Sequence, residues 1–314
     1  MNTKILVRSI GFNSLLFRRS CRHNYGFTLI EFVVTMAILV VLLGLLLPAV
    51  NGARQAARRI HCANNAKQVA LGLQSFESAF KRLPVGTCTI PSSTPLRGWF
   101  THVLPYLEQV QIADQIERSY KVNRNPFDPV SHPFFQQKIT AFMCAEDGRL
   151  YEINIASVSG YVVGLTSFQG NLGVDWKTTN GVLFGDSRVR FADVSDGLSN
   201  TYVFGERPPS ARFDFGWWYA GFGADGTGAI DHTLGARETA THPYNVSCDP
   251  VHESFHQGDI DDECSARHFW SLHRGGGHFA FLDGSVRFLS YQSDSILPFL
   301  STRAGGEIIA NDDY

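Results

Sequence analysis

Charge is scarce in this chain, and in one stretch it is missing altogether. Asp, Glu, Lys and Arg make up 18% of the 314 residues, against 44% hydrophobic, and no charge occurs from Phe32 to Val50. A basic surplus is also lacking, with 27 Lys and Arg against 29 Asp and Glu. Beyond residue 60 the balance is 19 basic to 28 acidic. Nucleic-acid binding needs a basic face that displaces counterions, so the body of the chain is not built for that partner. Cysteine is limited to six, and no two are spaced as C-x-x-C, which speaks against a structural zinc site. Neither a G-x-S-x-G elbow nor a phosphate-binding loop is present. No cofactor, metal or enzymatic activity is expected from these absences.

What the chain does contain begins with that apolar stretch. About 20 apolar residues in a helix cross the hydrocarbon core of a bilayer, and 27–50 is long enough. Glu31 stands at its edge, where an isolated carboxylate is costly unless something neutralises it. Lys4, Arg8, Arg18, Arg19 and Arg22 precede the span without an acid among them; Arg54, Arg58 and Arg59 follow it. Five against three keeps the N-terminus in the cytoplasm. An ordinary secretory signal would have a shorter apolar region and a small-residue cleavage site after it. At 44% hydrophobic with 29 Gly, the remainder reads as a folded, loop-rich body behind an anchor.

The residues GFTLIEF (26–32) resemble the type IV prepilin and pseudopilin signal: a glycine, an aromatic, and an acid at the fifth residue after the glycine. The resemblance implies a leader of residues 1–26, cleavage between Gly26 and Phe27, and N-methylation of Phe27. Glu31 then becomes the fifth mature residue and the charge that guides assembly. Pro48, the twenty-second mature residue, also resembles the pilin pattern. The implied partners are a prepilin peptidase/methyltransferase, other pilin-like subunits or secretion machinery, and the membrane.

Beyond Pro48, residues Ile60, Ala63, Ala66, Ala70, Leu73, Phe76 and Phe80 recur at steps of three and four, one face of a helix. Arg58, Arg59, Asn64, Asn65 and Gln68 fall elsewhere on its surface. The spacing predicts one helix from about Thr28 to about Phe80, kinked rather than stopped at Pro48. Residues 27–50 form its membrane or assembly half and 51–80 its soluble half. Residues 81–314 form the globular domain. A short amphipathic helix is expected after Pro105 within 99–119, and a Pro- and Asn-rich loop at 120–137. Short strand-like runs punctuated by Gly, Asn and Asp follow. Residues 225–268 contain no clear strand and read as a long polar loop. The expected fold is α+β, a pilin-like helix packed on a mainly antiparallel β domain.

The clearest hairpin is HFAFLDGSVRFLS (278–290), in which Asp283-Gly284 favours a two-residue type I′ turn. Counting back, nine residues separate His273 from Asp283-Gly284. HRGGGHFAFLDG resembles the H-X9-DG element that accompanies prepilin-type signals in a large bacterial family, DUF1559, best known from Planctomycetes and of unknown function. Other stretches extend the resemblance over nearly the whole mature chain: 54–84, WFTHVLPYLEQ (99–109), ITAFMCAED (139–147), FADVSDGLSNTYVFGE (191–206) and TRAGGEII (302–309). Tyr25, where a basic residue is more usual, and Ala145-Glu146-Asp147, in place of Pro-Ser-Asp, depart from the pattern.

Several residues invite chemistry and also have plainer readings. His273 and Asp283 could act as base and orienting acid, or as a backbone cap and a turn residue. Asp193, Asp196, Asn200 and Glu206 could ligate Ca²⁺, as could Asp259, Asp261, Asp262 and Glu263; Asp and Asn beside Gly are chiefly turn formers. His252-x-x-x-His256, with His232, His242 and His268, could hold a transition metal or be solvated. Trp99, Trp217, Trp218 and Tyr219 could stack on a sugar or form core. Processing removes Cys21 and leaves five cysteines, so at least one lacks an intrachain partner; Cys248 with Cys264 is the first pairing expected. The leading expectation is a pseudopilin-like structural protein of the bacterial inner membrane. It would be single-pass, with a cytoplasmic N-terminus before processing and the body periplasmic or at the surface. The rivals are a membrane-tethered solute- or polysaccharide-binding module and an extracytoplasmic hydrolase around His273 and Asp283.

Overall fold

The computed structural model describes residues 26–175, 177–223, 228–237, 248 and 255–307. The expected leader, apart from Gly26, lies outside the described residues, as do His242, His252 and much of the expected polar loop. The chain divides into two units, Met1–Gly52 and Ala53–Tyr314.

Helix α1 runs from Leu29 to Phe80 and contains Pro48 without interruption. Its start is set by local chemistry. Thr28 Oγ1 accepts from Glu31 N at 3.3 Å, and the Glu31 carboxylate accepts from Thr28 N at 2.9 Å, a reciprocal capping box. In the first unit every residue from Phe27 to Val50 is exposed. The helix ends where Lys81 adopts a left-handed φ of 56° and Pro84 follows.

In the second unit α1 buries Cys62, Asn65, Ala66, Val69, Ala70, Gly72, Leu73 and Phe76. The expected stripe is therefore right in its centre and wrong at its ends. Ile60 is 61% and Phe80 56% exposed, while Asn65, expected on the surface, is buried. Asn65 Nδ2 donates to the Thr140 and Met143 carbonyls at 3.0 and 2.7 Å, so its amide supplies donors to a segment that has no ladder of its own. Gly72 admits close approach: a Cβ there would lie 2.6 Å from Val103 Cγ1. The amphipathic helix expected after Pro105 is α3 (Val110–Val122); a short α2 (Phe100–Val103) and a 3-10 turn (Leu104–Leu107) precede it. Glu108, at φ 61°, breaks the run between that turn and α3.

Among the described residues, one mixed sheet of five strands forms the centre of this unit, in the order β3-β1-β2-β4-β5. The strands are β1 (Phe168–Gly173), β2 (Tyr202–Glu206), β3 (Thr233–Gly235), β4 (Gly276–Phe281) and β5 (Val286–Ser290). All pairings are antiparallel except β1 with β3. Strand β3 corrects the expectation of a strandless 225–268: it is three residues long, fully buried, and pairs with a strand some sixty residues earlier. Along β4 the side chains alternate between two cores. Ala280 and Leu282 join the core that contains α1, Trp99, Phe204 and Trp218. Phe279 and Phe281 join Tyr202, Phe255, Phe269, Leu297 and Leu300, the last two from α4 (Leu297–Ser301). The sheet is thus covered on both faces.

The β4–β5 hairpin forms where expected but not with a type I′ turn. Gly284 N donates to Phe281 O, Phe281 N donates to Ser285 O, and of the two turn residues only Gly284 has a positive φ, 81°. This is a three-residue loop, Leu282–Asp283–Gly284, closed by a left-handed glycine. The extra residue arises because Leu282 N and Asp283 N donate to Thr201 O and Leu198 O, which hold the loop against the segment before β2.

Candidate functional site

Four separate stretches converge on one buried cluster. Cys62 comes from α1, Cys144 from the loop after the 3-10 turn Thr140–Phe142, Glu206 from the end of β2, and His273 from the approach to β4. All four are buried, with exposures between 0 and 5%. Cys62 and Cys144 form a disulfide. His273 Nε2 lies 3.5 Å from Cys144 Sγ and 3.5 Å from Glu206 Oε1. The other Glu206 oxygen, Oε2, accepts from the His278 backbone N at 2.7 Å and contacts His278 Nδ1 at 3.1 Å. Among the described residues Oε1 has no close hydrogen-bond partner, His273 Nε2 standing off at 3.5 Å. Burial alone would push the Glu206 carboxyl up, but His273 and His278 outweigh it and hold the pKa at about 2. Cys62 Sγ accepts from Ala145 N at 3.1 Å, and Cys144 N donates to Ser167 Oγ at 2.9 Å.

The H-X9-DG element spans β4. Its histidine enters this cluster, and its Asp-Gly lies at the opposite end of the strand. There Asp283 Oδ1 accepts from Ser285 N at 2.8 Å, and Gly284 O accepts from Lys67 Nζ at 2.6 Å. His273 and Asp283 are therefore not brought together, and the base-and-acid pair considered from the sequence is not assembled.

The first set of calcium candidates is also dispersed. Asp193 pairs with Arg190 at 2.7 Å. Asp196 accepts from Thr302 Oγ1, Gly305 N and Gly306 N, which fastens 302–306 to 191–200. Asn200 Nδ2 donates to Asp196 O, and Glu206 belongs to the histidine cluster. In the second set, Asp262 caps a 3-10 turn by accepting from Cys264 N, while Glu263 accepts from Arg212 N. His232 and His268 are buried, not solvated; His268 stacks on His256 at 3.7 Å. Trp99, Trp217, Trp218 and Tyr219 are core. Residues 252–256 read H-E-S-F-H, a pattern that in a helix would set two histidines on one face. His252 lies outside the described residues; Phe255 is buried and pairs with Phe269 as an isolated β-bridge.

The expected Cys248–Cys264 disulfide is formed. Cys62–Cys144 was not expected, and nothing in the spacing signals it. Cys88 keeps a buried thiol whose pKa burial pushes up.

Comparison with known proteins decides the family. The model described as a protein of unknown function (DUF1559) matches residues 51–295, and that of the prokaryotic N-terminal methylation motif matches 21–47. The chain belongs to the DUF1559 family. No curated protein and no solved structure matches it. The methylation motif and the apolar start of α1 make this DUF1559 protein a type IV pilin-like, membrane-anchored protein, and the motif implies processing by a prepilin peptidase.

Proposed function

We propose that this DUF1559 protein is a pseudopilin-like assembly subunit with a structural rather than an enzymatic role. It would sit single-pass in the bacterial inner membrane, its body periplasmic or displayed at the surface, serving secretion or display. The observation that carries this reading is the start of α1, wholly exposed and apolar from Phe32 to Val50 with one acid, Glu31, at its head. A surface of this kind is suited to lipid and to neighbouring helices. Glu31 makes both of its Thr28 side-chain and backbone bonds through Oε2. Oε1 remains to meet the new Phe27 amine of a neighbouring subunit after cleavage. Such a pair relieves the cost of a carboxylate among apolar helices.

The test is cross-linking in membranes with intact-mass readout of wild type, Glu31→Gln and Glu31→Leu. Glutamine keeps an oxygen for the cap and loses the charge, so it separates capping from recognition. Cleavage between Gly26 and Phe27 should persist in all three, with the subunit adducts lost in both variants. Unchanged adducts in Glu31→Leu would leave the helix as a simple tether.

A second reading, a tethered solute- or polysaccharide-binding module, draws on one cavity of about 220 Å³ lined by Phe127, His132, Phe135 and Tyr161. The rings of Phe127 and Tyr161 stack there at 5.6 Å. Both His132 nitrogens are already engaged, with Tyr219 Oη and Asn123 O, which leaves the cavity poor in directional groups. A ligand-dependent rise in melting temperature, without subunit adducts, would favour this reading.

A further inference from the structure

We propose that the Cys62–Cys144 disulfide closes over a latent transition-metal site, and that its reduction lets Cys62, Cys144, His273 and Glu206 hold one Zn²⁺. This goes beyond the assembly role and does not depend on it. The four donor atoms lie within 4.8 Å of one another, each from a different segment, which is why no spacing in the sequence announces them.

The geometry fits the metal. Zn–S bonds of about 2.3 Å and Zn–N or Zn–O bonds of about 2.0–2.2 Å at tetrahedral angles place neighbouring donor atoms roughly 3.3–3.8 Å apart. Cys144 Sγ to His273 Nε2 and His273 Nε2 to Glu206 Oε1 are both 3.5 Å. The two bonded sulfurs must separate, which reduction allows, and the widest pair of the set, within 4.8 Å, must close by up to about 1 Å.

The surroundings fit as well. Glu206 Oε1 is buried, has no close hydrogen-bond partner among the described residues and faces His273 at 3.5 Å, while Oε2 is fixed by His278. A ligating carboxylate is commonly held this way through its second oxygen. The Ala145 N–H directed at Cys62 Sγ suits a thiolate there. Two sulfurs with one imidazole favour zinc over the hard cations Ca²⁺ and Mg²⁺.

The chemistry requires a dithiol reductant. One of its thiolates attacks Cys144 Sγ, breaking the Cys62–Cys144 bond and releasing Cys62 as thiolate. The second thiol then resolves the mixed disulfide and frees Cys144. The reductant leaves as a cyclic disulfide, having supplied two electrons, and Cys62 and Cys144 gain two protons. Zn²⁺ binding displaces those protons to solvent.

The experiment uses the full chain in detergent micelles, reduced with a dithiol, exchanged into anaerobic buffer and titrated with Co²⁺. Cobalt should bind at one equivalent with an intense thiolate charge-transfer band and the d–d bands of a tetrahedral site, and Zn²⁺ should abolish both. His273→Ala and Glu206→Gln should each weaken binding at least tenfold, whereas Cys88→Ala and the double variant Cys248→Ala/Cys264→Ala should retain it. If a ligand variant fails to fold, the wild-type titration still decides. Absence of the band in the reduced wild type, folded or not, or an undiminished band in a folded His273→Ala protein, overturns the proposal.

Discussion

The Cys62–Cys144 disulfide ties α1 to the loop after Phe142 across 82 residues, and its removal should be the most damaging small change in the domain. The perturbation is the double variant Cys62→Ala/Cys144→Ala, which removes both members of the pair and adds no new free thiol beside Cys88. In the chain-entropy model a loop of this length restricts the unfolded ensemble by about 4.5 kcal/mol, and the 16-residue loop of Cys248–Cys264 by about 3 kcal/mol. The two loops do not overlap in sequence, so neither shortens the other. Cys62 and Cys144 are also buried, and emptying their sulfur positions adds a packing loss. For a domain of this size each kcal/mol shifts the melting temperature by about 2–4 °C, giving roughly 9–18 °C for the first pair. Thermal unfolding by circular dichroism of a soluble chain beginning at Ala53 measures both double variants side by side. An equal or smaller loss for Cys62/Cys144 than for Cys248/Cys264 would refute the view that this crosslink clamps the helix to the domain.

Gly284→Val should cost the soluble domain about 1–2 kcal/mol, because a β-branched residue resists a φ of 81° and its Cβ would meet Gln74 Nε2 at 2.7 Å. Ser285→Ala, which removes a hydroxyl with no partner, should cost little, and equal melting temperatures would refute the left-handed assignment. Burial pushes the Asp231 carboxyl up to about 7, against the pull of the Gly223 N–H and Arg207, so its neutral form is favoured in the fold. That contribution is present below about pH 4 and is lost as pH rises through 7. Asp231→Asn should flatten the fall in urea stability over this window, and an unchanged slope would count against it.

Features carried by local patterns could be read from the sequence. The apolar span, the Gly-Phe signal and the three-and-four spacing after Ile60 placed α1 to within a residue or two of Leu29–Phe80. Asp-Gly located the β4–β5 hairpin. The turn type was not legible, because contacts to Leu198 and Thr201, far upstream, choose the loop length. Strand β3 was not legible either: three residues carry no alternation, and their pairing partner is distant. Polar residues misled most. Asn65, His232 and His268 read as surface yet are buried. Glu206 read as a neighbour of Asp196 and Asn200, but strand β2 carries it away to face His273. The Cys62–Cys144 pair was hidden for the same reason, since spacing along a chain does not encode which distant residues fold together.

The nine-residue spacing between His273 and Asp283 has a physical reading once both ends of β4 are traced to α1. At one end His273 meets Cys144, which is bonded to Cys62. At the other, Leu282 O accepts from Gln74 Nε2 at 3.2 Å and Gly284 O accepts from Lys67 Nζ. Twelve residues of helix from Cys62 to Gln74 rise about 18 Å. Six residues of strand from Gly276 to Leu282 span about 20 Å. Both ends of β4 are thus linked to α1, and the spacing is expected to act as a ruler between these links. Inserting one residue after Gly277 should turn Phe279 and Phe281 toward the wrong core, and misplacing two buried phenylalanines should prevent folding. Inserting two restores the faces but lengthens the strand by about 7 Å. Such a chain should fold with one fastening broken, seen as slow or incomplete Cys62–Cys144 oxidation by peptide mapping or as a lowered melting temperature. If both insertions fold with wild-type melting and complete oxidation, the spacing is not a ruler.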